Sequence, residues 1–293
     1  MTADARAGRD LRPPPRKPFK PSVAFTYTLL VVGAAVFAMP LIIMITTSFK
    51  SHTEINSFPP TIIPNAWLPQ NYADAWNYRN TDFARWTLNT LTILVLTLPG
   101  VLLTSSLCAY GFARLRFPGR NLWFGLVLAS IMLPPQVTLI PLYILFQQLG
   151  WLDTFLPLVV PAWFGGGALS IFLMRQFFLQ IPHELDEAAI IDGAGHLTIW
   201  WRIYMPLSRP VLVTVALLAT LGIWNDFFGP LIYLSSPENF TLALGLNLFQ
   251  GLFVSRIDYI MAISTLMVLP MIVLFVLAQR YIVQGFISSG LKG

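Results

Sequence analysis

The stretch Trp86–Gly111, WTLNTLTILVLTLPGVLLTSSLCAYG, contains no charged side chain. About 20 consecutive apolar residues in a helix are enough to cross the hydrocarbon core of a bilayer. Inside lipid each backbone amide must be hydrogen-bonded within the protein, which favours a helix over an isolated strand. This stretch therefore predicts a membrane-spanning helix.

The rest of the chain repeats the pattern. It is 56% hydrophobic and only 11% charged, whereas soluble domains contain roughly 25% charged residues. The predicted spans are Phe25–Thr47, Trp86–Gly111, Asn121–Leu152, Thr154–Met174, Pro210–Leu234 and Tyr259–Gln279. We therefore expect an all-α, polytopic membrane protein with six transmembrane helices.

The N-terminal residues differ from the remainder. Residues 1–20 carry six positive charges and the run Pro13-Pro14-Pro15, a composition that cannot bury a core. We expect a basic cytoplasmic tail there and a transmembrane domain over residues 21–293. A cleaved signal peptide is the alternative for the first span, but this run is about twice as long as a typical signal and lacks a small-residue cleavage site.

The positive charges orient the bundle. Of the 18 lysines and arginines, only Lys50, Arg79, Arg85 and Arg256 fall on one side of the predicted spans. The positive-inside rule therefore places both termini, and the connection between spans four and five, in the cytoplasm. This topology and attraction to anionic membrane lipid explain the formal charge of +5, so no nucleic-acid partner is expected.

Two spans contain sequences that interrupt helices. Leu133-Pro134-Pro135-Gln136 lies in the third span and Gly165-Gly166-Gly167 in the fourth. Proline breaks the helical hydrogen-bond ladder, and within a membrane such a break persists only against protein or a watery cavity. Glycine permits close approach of a neighbouring helix. Bends around an internal space and plain helix packing both explain these features.

The connection Ser48–Arg85 contains four prolines and the aromatic residues Trp67, Tyr72 and Trp76. We expect an ordered loop on the outer surface. Aromatic side chains at the membrane interface explain its composition, and a docking surface for an external partner is the alternative.

Residues 181–206, between spans four and five, are polar and patterned. Negative charge in the first turn stabilises a helix, and here it comes from Glu184, Asp186 and Glu187. Glycines supply a helix exit because they tolerate a left-handed backbone, and we assign that role to Gly193 and Gly195. A second short helix should present one apolar face, formed by Leu197, Trp200, Trp201 and Tyr204. An amphipathic hairpin on the membrane surface is the alternative.

Glu187-Ala188-Ala189 is followed after three residues by Gly193 and after nine more by Ile203-Tyr204-Met205-Pro206. This spacing resembles the EAA signature of ABC importer permeases, with Met205 in place of leucine. We call residues 181–206 the EAA loop. In addition, Trp224-Asn225-Asp226-Phe227 is similar to a segment of carbohydrate-importing permeases, and residues 279–293 resemble the tail of the smaller permease partner in maltose-type importers.

The resemblance implies a role for the EAA loop. Its first helix would dock in a groove of an ATP-binding subunit, with coupling residues Glu187, Ala188, Ala189, Asp192 and Gly193. The implied partners are a second permease subunit, two ATP-binding subunits and an extracytoplasmic sugar-binding protein. The C-terminal residues 290–293 would reach between the ATP-binding subunits without binding nucleotide.

Catalytic and metal-binding patterns are missing from the sequence. No lysine stands in a phosphate-cradling Gly-x-x-x-x-Gly-Lys-Ser/Thr loop, and no Gly-x-Ser-x-Gly elbow occurs. His52, His183 and His196 lack metal-ligand spacing with one another or with Cys108, the single cysteine. We therefore expect no catalytic residue, no metal site and no cofactor, with ATP bound by partner subunits.

Asp226 is the only acidic residue within a predicted span, and such residues are functional candidates. Its carboxylate could accept a substrate hydroxyl, join Asn225 in an interhelical hydrogen bond, or lie at the outer membrane boundary. Trp224 could stack on a sugar or pack in the core. Further candidates for the substrate path are Asn89, Gln136 and Tyr143.

The expected function is that of a permease subunit of an ABC importer in the bacterial or archaeal cytoplasmic membrane, translocating a mono- or oligosaccharide. The alternative is the same type of importer for a polyol, a glycerol phosphodiester or a polyamine. An ion-coupled secondary transporter is disfavoured because it would need several buried ionisable groups.

Overall fold

The computed structural model describes residues 21–78, 81–252 and 256–290. The expected tail, residues 1–20, and the last three residues lie outside this part. The helices are α1 (Pro21–Ser48), α2 (His52–Ile55), α3 (Gln70–Trp76), α4 (Phe83–Arg114), α5 (Arg120–Ile131), α6 (Pro135–Gln148), α7 (Leu156–Val159), α8 (Ala168–Phe178), α9 (Glu184–Ile191), α10 (His196–Ile199), α11 (Met205–Leu207), α12 (Arg209–Trp224), α13 (Phe228–Tyr233), α14 (Leu242–Leu252) and α15 (Ile257–Gly290). No strand occurs among the described residues, which confirms the all-α prediction.

The described residues contain four segments long and apolar enough to cross a membrane unaided: Phe25–Ser48, Phe83–Arg114, Leu156–Phe178 and Ile257–Arg280. Two bent pairs bring the number to six if each pair is one span. Arg120–Ile131 meets Gln136–Gln148 at 96°, and His196–Leu207 meets Arg209–Trp224 at 80°. The number agrees with the six predicted spans, but the second pair includes His196–Leu207, which the prediction places in the connection before the fifth span.

The chain forms two compact units, the first ending at Met44 and the second beginning at Ile45. Within the described residues the first unit is a single helix with apolar, exposed side chains such as Phe37. The second unit contains the remaining spans and both hydrophobic cores described below.

One core joins α4, α8 and α12 to the EAA loop. Its buried members include Met174, Phe178, Ile199, Tyr204 and Val215. The other core joins the Ser48–Arg85 connection and α14 to α4, α12 and α15, through buried residues that include Ala75, Phe83, Trp86, Trp224 and Ile263. The EAA loop therefore packs against the ends of several spans.

The predicted interruption of the third span is present. Helix α5 ends at Ile131, and α6 begins at Pro135 after a three-residue break. Proline fits the first turn of α6 because its missing amide needs no partner there. The run predicted as one span, Asn121–Leu152, is thus two helices with a sharp bend between them.

The fourth span is interrupted at its glycines. Gly166 and Gly167 have positive φ angles of 58° and 94°, and α8 starts immediately afterwards. These glycines line a cavity of about 690 Å³ together with Cys108 and Ser130. Non-helical backbone is tolerated at membrane depth beside protein or a cavity. A β-carbon at Gly166 would lie 2.1 Å from Ser105 Oγ, so this glycine allows α4 to approach closely.

The fifth predicted span, Pro210–Leu234, divides at Asn225. Helix α12 ends at Trp224 and the short helix α13 starts at Phe228. Asp226 Oδ1 accepts a hydrogen bond of 3.1 Å from the amide of Gly229. The carboxylate therefore supplies a partner to an amide that the start of a helix leaves without one.

We predict that Gly166→Ala destabilises the protein by about 1–3 kcal/mol, because a β-carbon strains a left-handed backbone. The added β-carbon would also lie 2.8 Å from the backbone nitrogen of Ser105. Gly165→Ala is the matched control, since a β-carbon there meets nothing within 4 Å. Thermal unfolding of the purified protein in detergent compares the two variants. Equal unfolding temperatures would contradict the close approach of α4.

Candidate functional site

The first helix of the EAA loop, α9, ends in a tight glycine corner. Gly193 has φ +81°, and its amide donates a 2.9 Å hydrogen bond to the carbonyl of Ile190. The amide of Ala194 donates a 2.9 Å bond to the carbonyl of Ala189. These two bonds define a Schellman motif, which requires a left-handed residue. Gly193 therefore supplies the predicted exit, whereas Gly195 has φ −75°, so the prediction for Gly195 is wrong.

Helix α9 presents different residues to the bundle and to its surroundings. Asp186 and Ala189 are half-buried, and Ala189 packs against the core of α4, α8 and α12. The outer face carries Glu187, Ala188, Ile191, Asp192 and Gly193, all exposed. Among the predicted coupling residues, Ala189 alone faces inward.

An apolar side chain dominates the outer face of α9. The side chain of Ile191 is 85% exposed, and its neighbour Ile190 is also exposed. Exposed apolar residues grouped with a polar rim are typical of protein interaction sites. The corner can therefore receive another protein surface, with the small side chain of Ala188 permitting close approach.

The second half of the EAA loop departs from the predicted amphipathic helix. Trp200 and Tyr204 are buried, but Leu197 is 71% exposed and Trp201 is 57% exposed. A π turn over Trp200–Tyr204 lies between α10 and α11. A π turn contains more residues than an α turn, so the regular α-helical spacing on which the predicted face depends is not kept through this segment. The prediction of a single apolar face with all four residues is wrong.

A polar cluster connects the EAA loop to the spans, and we define it as Arg114, His183, Asp186 and Tyr204. Tyr204 and the side chain of Arg114 are buried, Asp186 is half-buried and His183 is exposed. Arg114, the last residue of α4, donates from Nη2 to the carbonyl of Phe178 at 2.7 Å. Its Nη1 lies 2.8 Å from His183 Nδ1, and its Nε lies 3.6 Å from Asp186 Oδ2. The Tyr204 hydroxyl donates to the same carboxylate oxygen at 2.9 Å.

Tyr204 is fully buried within this cluster. Burial raises the pKa of its phenol, and the hydrogen bond to Asp186 raises that pKa further. Tyr204 therefore stays protonated and remains a donor at every physiological pH. The cluster was not predicted from the sequence, because Asp186 is explained there as a helix-dipole charge and Arg114 as one of the charges that orient the spans.

The Trp224-Asn225-Asp226 segment makes contacts within the protein. Trp224 is 3% exposed and donates from Nε1 to the carbonyl of Met267 at 3.0 Å. Asn225 donates from Nδ2 to the carbonyl of Leu221 at 2.8 Å. Asp226 accepts from Gly229, as described above. These bonds of Asn225 and Asp226 are therefore local, and neither is the interhelical hydrogen bond that was one of the predicted alternatives. Asp226 also borders a cavity of about 30 Å³.

The other candidates for the substrate path, Asn89, Gln136 and Tyr143, have different surroundings. Asn89 donates from Nδ2 to the carbonyls of Glu238 at 2.8 Å and Phe240 at 2.9 Å, so it holds the loop before α14. The Tyr143 ring stacks on Tyr233, with centroids 6.5 Å apart. Gln136 is exposed at the start of α6. The contacts of Asn89 and Tyr143 are structural ones, and a substrate path through these residues stays a prediction.

A helical bundle with up to six spans and an exposed helix–glycine corner between the fourth and fifth is the architecture of an ABC importer permease. The family described as binding-protein-dependent transport system inner membrane component matches residues 101–288. The chain belongs to this family. It is therefore a multi-pass transport protein of the cytoplasmic membrane.

Known relatives match along nearly the whole chain. The diacetylchitobiose uptake system permease protein NgcG of Streptomyces coelicolor is 32% identical over 91% of this chain and 88% of its own length. The sn-glycerol-3-phosphate transport system permease protein UgpE of Yersinia pestis is 30% identical over 90% of this chain and 96% of its own length.

A solved structure has the same fold. A chain of a bacterial ABC transporter involved in the import of the acidic polysaccharide alginate superposes with a TM-score of 0.76. The match covers 92% of this chain and all of that chain, at 23% sequence identity.

We predict that Trp224→Ala destabilises the protein and that Asp226→Asn changes neither assembly nor uptake appreciably. Removing the buried indole should lower the free energy of unfolding by about 3–5 kcal/mol, as for other large buried aromatics. Asp226→Asn should be nearly silent, because the amide oxygen can still accept from Gly229. Thermal unfolding and the amount of assembled complex measure the effect of Trp224→Ala, and uptake normalised to that amount measures the effect of Asp226→Asn. A large loss for Asp226→Asn at unchanged assembly would place its carboxylate on the substrate path.

Proposed function

We propose that this chain is one of two membrane-spanning subunits of an importer for a mono- or oligosaccharide, and that two separate ATP-binding subunits supply the energy. The exposed corner of α9 carries the proposal. It combines the apolar Ile191 with the small residues Ala188 and Gly193 on a face that packs against nothing in this chain's described residues. The EAA spacing supports an ATP-binding subunit as the occupant of that face.

A carbohydrate is the substrate class that we favour. NgcG serves diacetylchitobiose uptake and supports a sugar, whereas UgpE serves sn-glycerol-3-phosphate and supports the alternative of a phosphorylated solute. The predicted path residues include no lysine or arginine. A phosphate is ordinarily held by Arg or Lys, so this set of side chains suits a neutral, hydroxyl-rich solute better.

Delivery by an extracytoplasmic sugar-binding protein would use the end of the bundle opposite the EAA loop. At that end Asp153 holds the loop before α14, since Oδ1 accepts 2.9 Å bonds from the amides of Ser235 and Ser236. Asn239 Nδ2 donates to the Asp153 carbonyl at 2.8 Å. These bonds give the loop a defined shape against which a second protein could dock.

The charge of Asp153 supports that shape over the working pH range. The hydrogen bond from the Ser236 side chain, followed by those from the Ser236 and Ser235 amides, holds the pKa of Asp153 well below its usual range. A depressed pKa stabilises the fold above the unfolded value of about 3.9, and the gain is lost as pH falls through the folded value. The loop anchor should therefore be insensitive to pH near neutrality.

The first experiment tests coupling. Gly193→Pro cannot adopt the left-handed corner, and Ala188→Trp places a bulky ring on the outer face. Both variants should insert normally but lose most uptake and co-purify with less ATP-binding subunit. Ala73→Trp, an exposed position at the opposite end of the bundle, is the control for a surface tryptophan in the co-purification measurement, which does not depend on the extracytoplasmic face. Wild-type uptake by either loop variant, measured in vesicles with the partner subunits, would refute the coupling role.

The second experiment tests orientation. We expect a membrane-impermeant thiol reagent to label Ala66→Cys from outside intact cells, in a background where Cys108 is replaced by serine. Thr198→Cys in the EAA loop should react only after the membrane is permeabilised. Both positions are exposed in this chain, so access depends on the side of the membrane. External labelling of Thr198→Cys would reverse the proposed topology.

A further inference from the structure

The side chain of Arg114 connects four parts of the chain at the EAA end of the bundle. Only 2% of it is exposed. Besides the carbonyl of Phe178, its Nη2 donates to the carbonyl of Ile181, just beyond the end of α8. A cation is stabilised at a helix C-terminus, where carbonyls lack amide partners. Arg114 therefore joins the end of α4 to the end of α8.

The same guanidinium reaches the start of α9. Arginine has donors only, so Arg114 Nη1 donates the 2.8 Å hydrogen bond and His183 Nδ1 accepts it. On the next turn Asp186 faces Arg114 Nε at 3.6 Å and receives the Tyr204 hydroxyl. The Arg114 guanidinium also lies 5.2 Å from the Tyr204 ring centre. The cluster thus holds both halves of the EAA loop.

Apolar packing alone gives α9 little attachment to the bundle. Its larger apolar side chains, Leu185, Ile190 and Ile191, are exposed. Ala189 contributes one methyl group to the core. Within the part of the chain that the structure describes, the ion pair between a span and α9 is the one from Arg114 to Asp186. A force applied to the outer face of α9 must therefore pass largely through this polar contact.

We propose that Arg114 is a positioning residue for energy coupling, which makes α9 move together with the ends of α4 and α8. The inference rests on the proposed function, since it takes an ATP-binding subunit as the source of the force. Asp186 is the matching group on α9, and Tyr204 orients its carboxylate. Without Arg114, the docked helix would shift while the spans stayed behind.

The test uses the complete importer in proteoliposomes, comparing uptake with ATP hydrolysis for Arg114→Gln. The outer corner of α9 is unchanged in this variant, so the ATP-binding subunits should remain bound. Uptake per ATP hydrolysed should fall at least about fivefold, the lower end of typical coupling between two sites. Arg175→Gln is the control: Arg175 Nε donates to the Phe112 carbonyl at 3.3 Å and its guanidinium lies over the Phe124 ring. This control should leave uptake per ATP unchanged.

Two further variants, Asp186→Asn and Arg114→Lys, test the inference even if Arg114→Gln does not fold. Asp186→Asn keeps every carbonyl bond of Arg114 and removes only the charge on α9, and it should also lower uptake per ATP. Arg114→Lys should couple better than Arg114→Gln but worse than wild type, because lysine keeps the positive charge and lacks the planar set of donors. The double variant Arg114→Gln/Asp186→Asn should couple no worse than the poorer single variant, because contacting residues are not additive.

The outcomes separate this inference from the proposed function. Normal uptake per ATP in both Arg114→Gln and Asp186→Asn, or effects that simply multiply in the double variant, would overturn the role of Arg114. A wild-type chain that fails to bind any ATP-binding subunit would instead overturn the proposed function. Loss of uptake per ATP at normal subunit binding would support both.

Discussion

In the hydrocarbon core of the membrane there is no water to form hydrogen bonds with the backbone. Each amide or carbonyl left without a partner there costs several kcal/mol of folding free energy. Helices satisfy this constraint automatically, which is why the long runs of the chain are helical. The informative places are those where a helix stops inside a span. There the protein must provide a partner, remove the amide or place the backbone beside a cavity, and each solution is visible in this chain.

Each interruption uses a different solution. Pro135 removes an amide at the start of α6, so the bend there leaves one donor fewer to satisfy. Asp226 supplies an acceptor for Gly229 where α12 gives way to α13. Gly166 and Gly167 lie beside a cavity, close against α4. The requirement to satisfy the backbone therefore accounts for the carboxylate of Asp226 without a substrate, and it explains why an intramembrane acid is an ambiguous indicator of function.

The sequence predicted some of these features well and others not at all. The spans depend on local composition, and the glycine corner depends on one residue, Gly193. Both could therefore be predicted from the sequence. The face of the second loop helix could not, because the π turn at Trp200–Tyr204 follows from packing rather than from periodicity. The contacts of Asn89 and Arg114 join residues far apart in the chain, to Phe240 and Asp186 respectively. Such pairings depend on how the spans pack, which one sequence does not specify.

The two alanines of the EAA signature, Ala188 and Ala189, have different surroundings. Ala189 lies on the inner side of α9 and packs against the core, so a larger side chain would push the helix away from the spans. Ala188, one residue earlier, is exposed on the outer side beside Ile191 and Gly193. A helix turns by about 100° per residue, so neighbouring alanines necessarily face different bodies. Under the proposed function, small residues on both sides would let α9 lie close to the bundle and to an ATP-binding subunit at once, so that a displacement of that subunit would reach the spans.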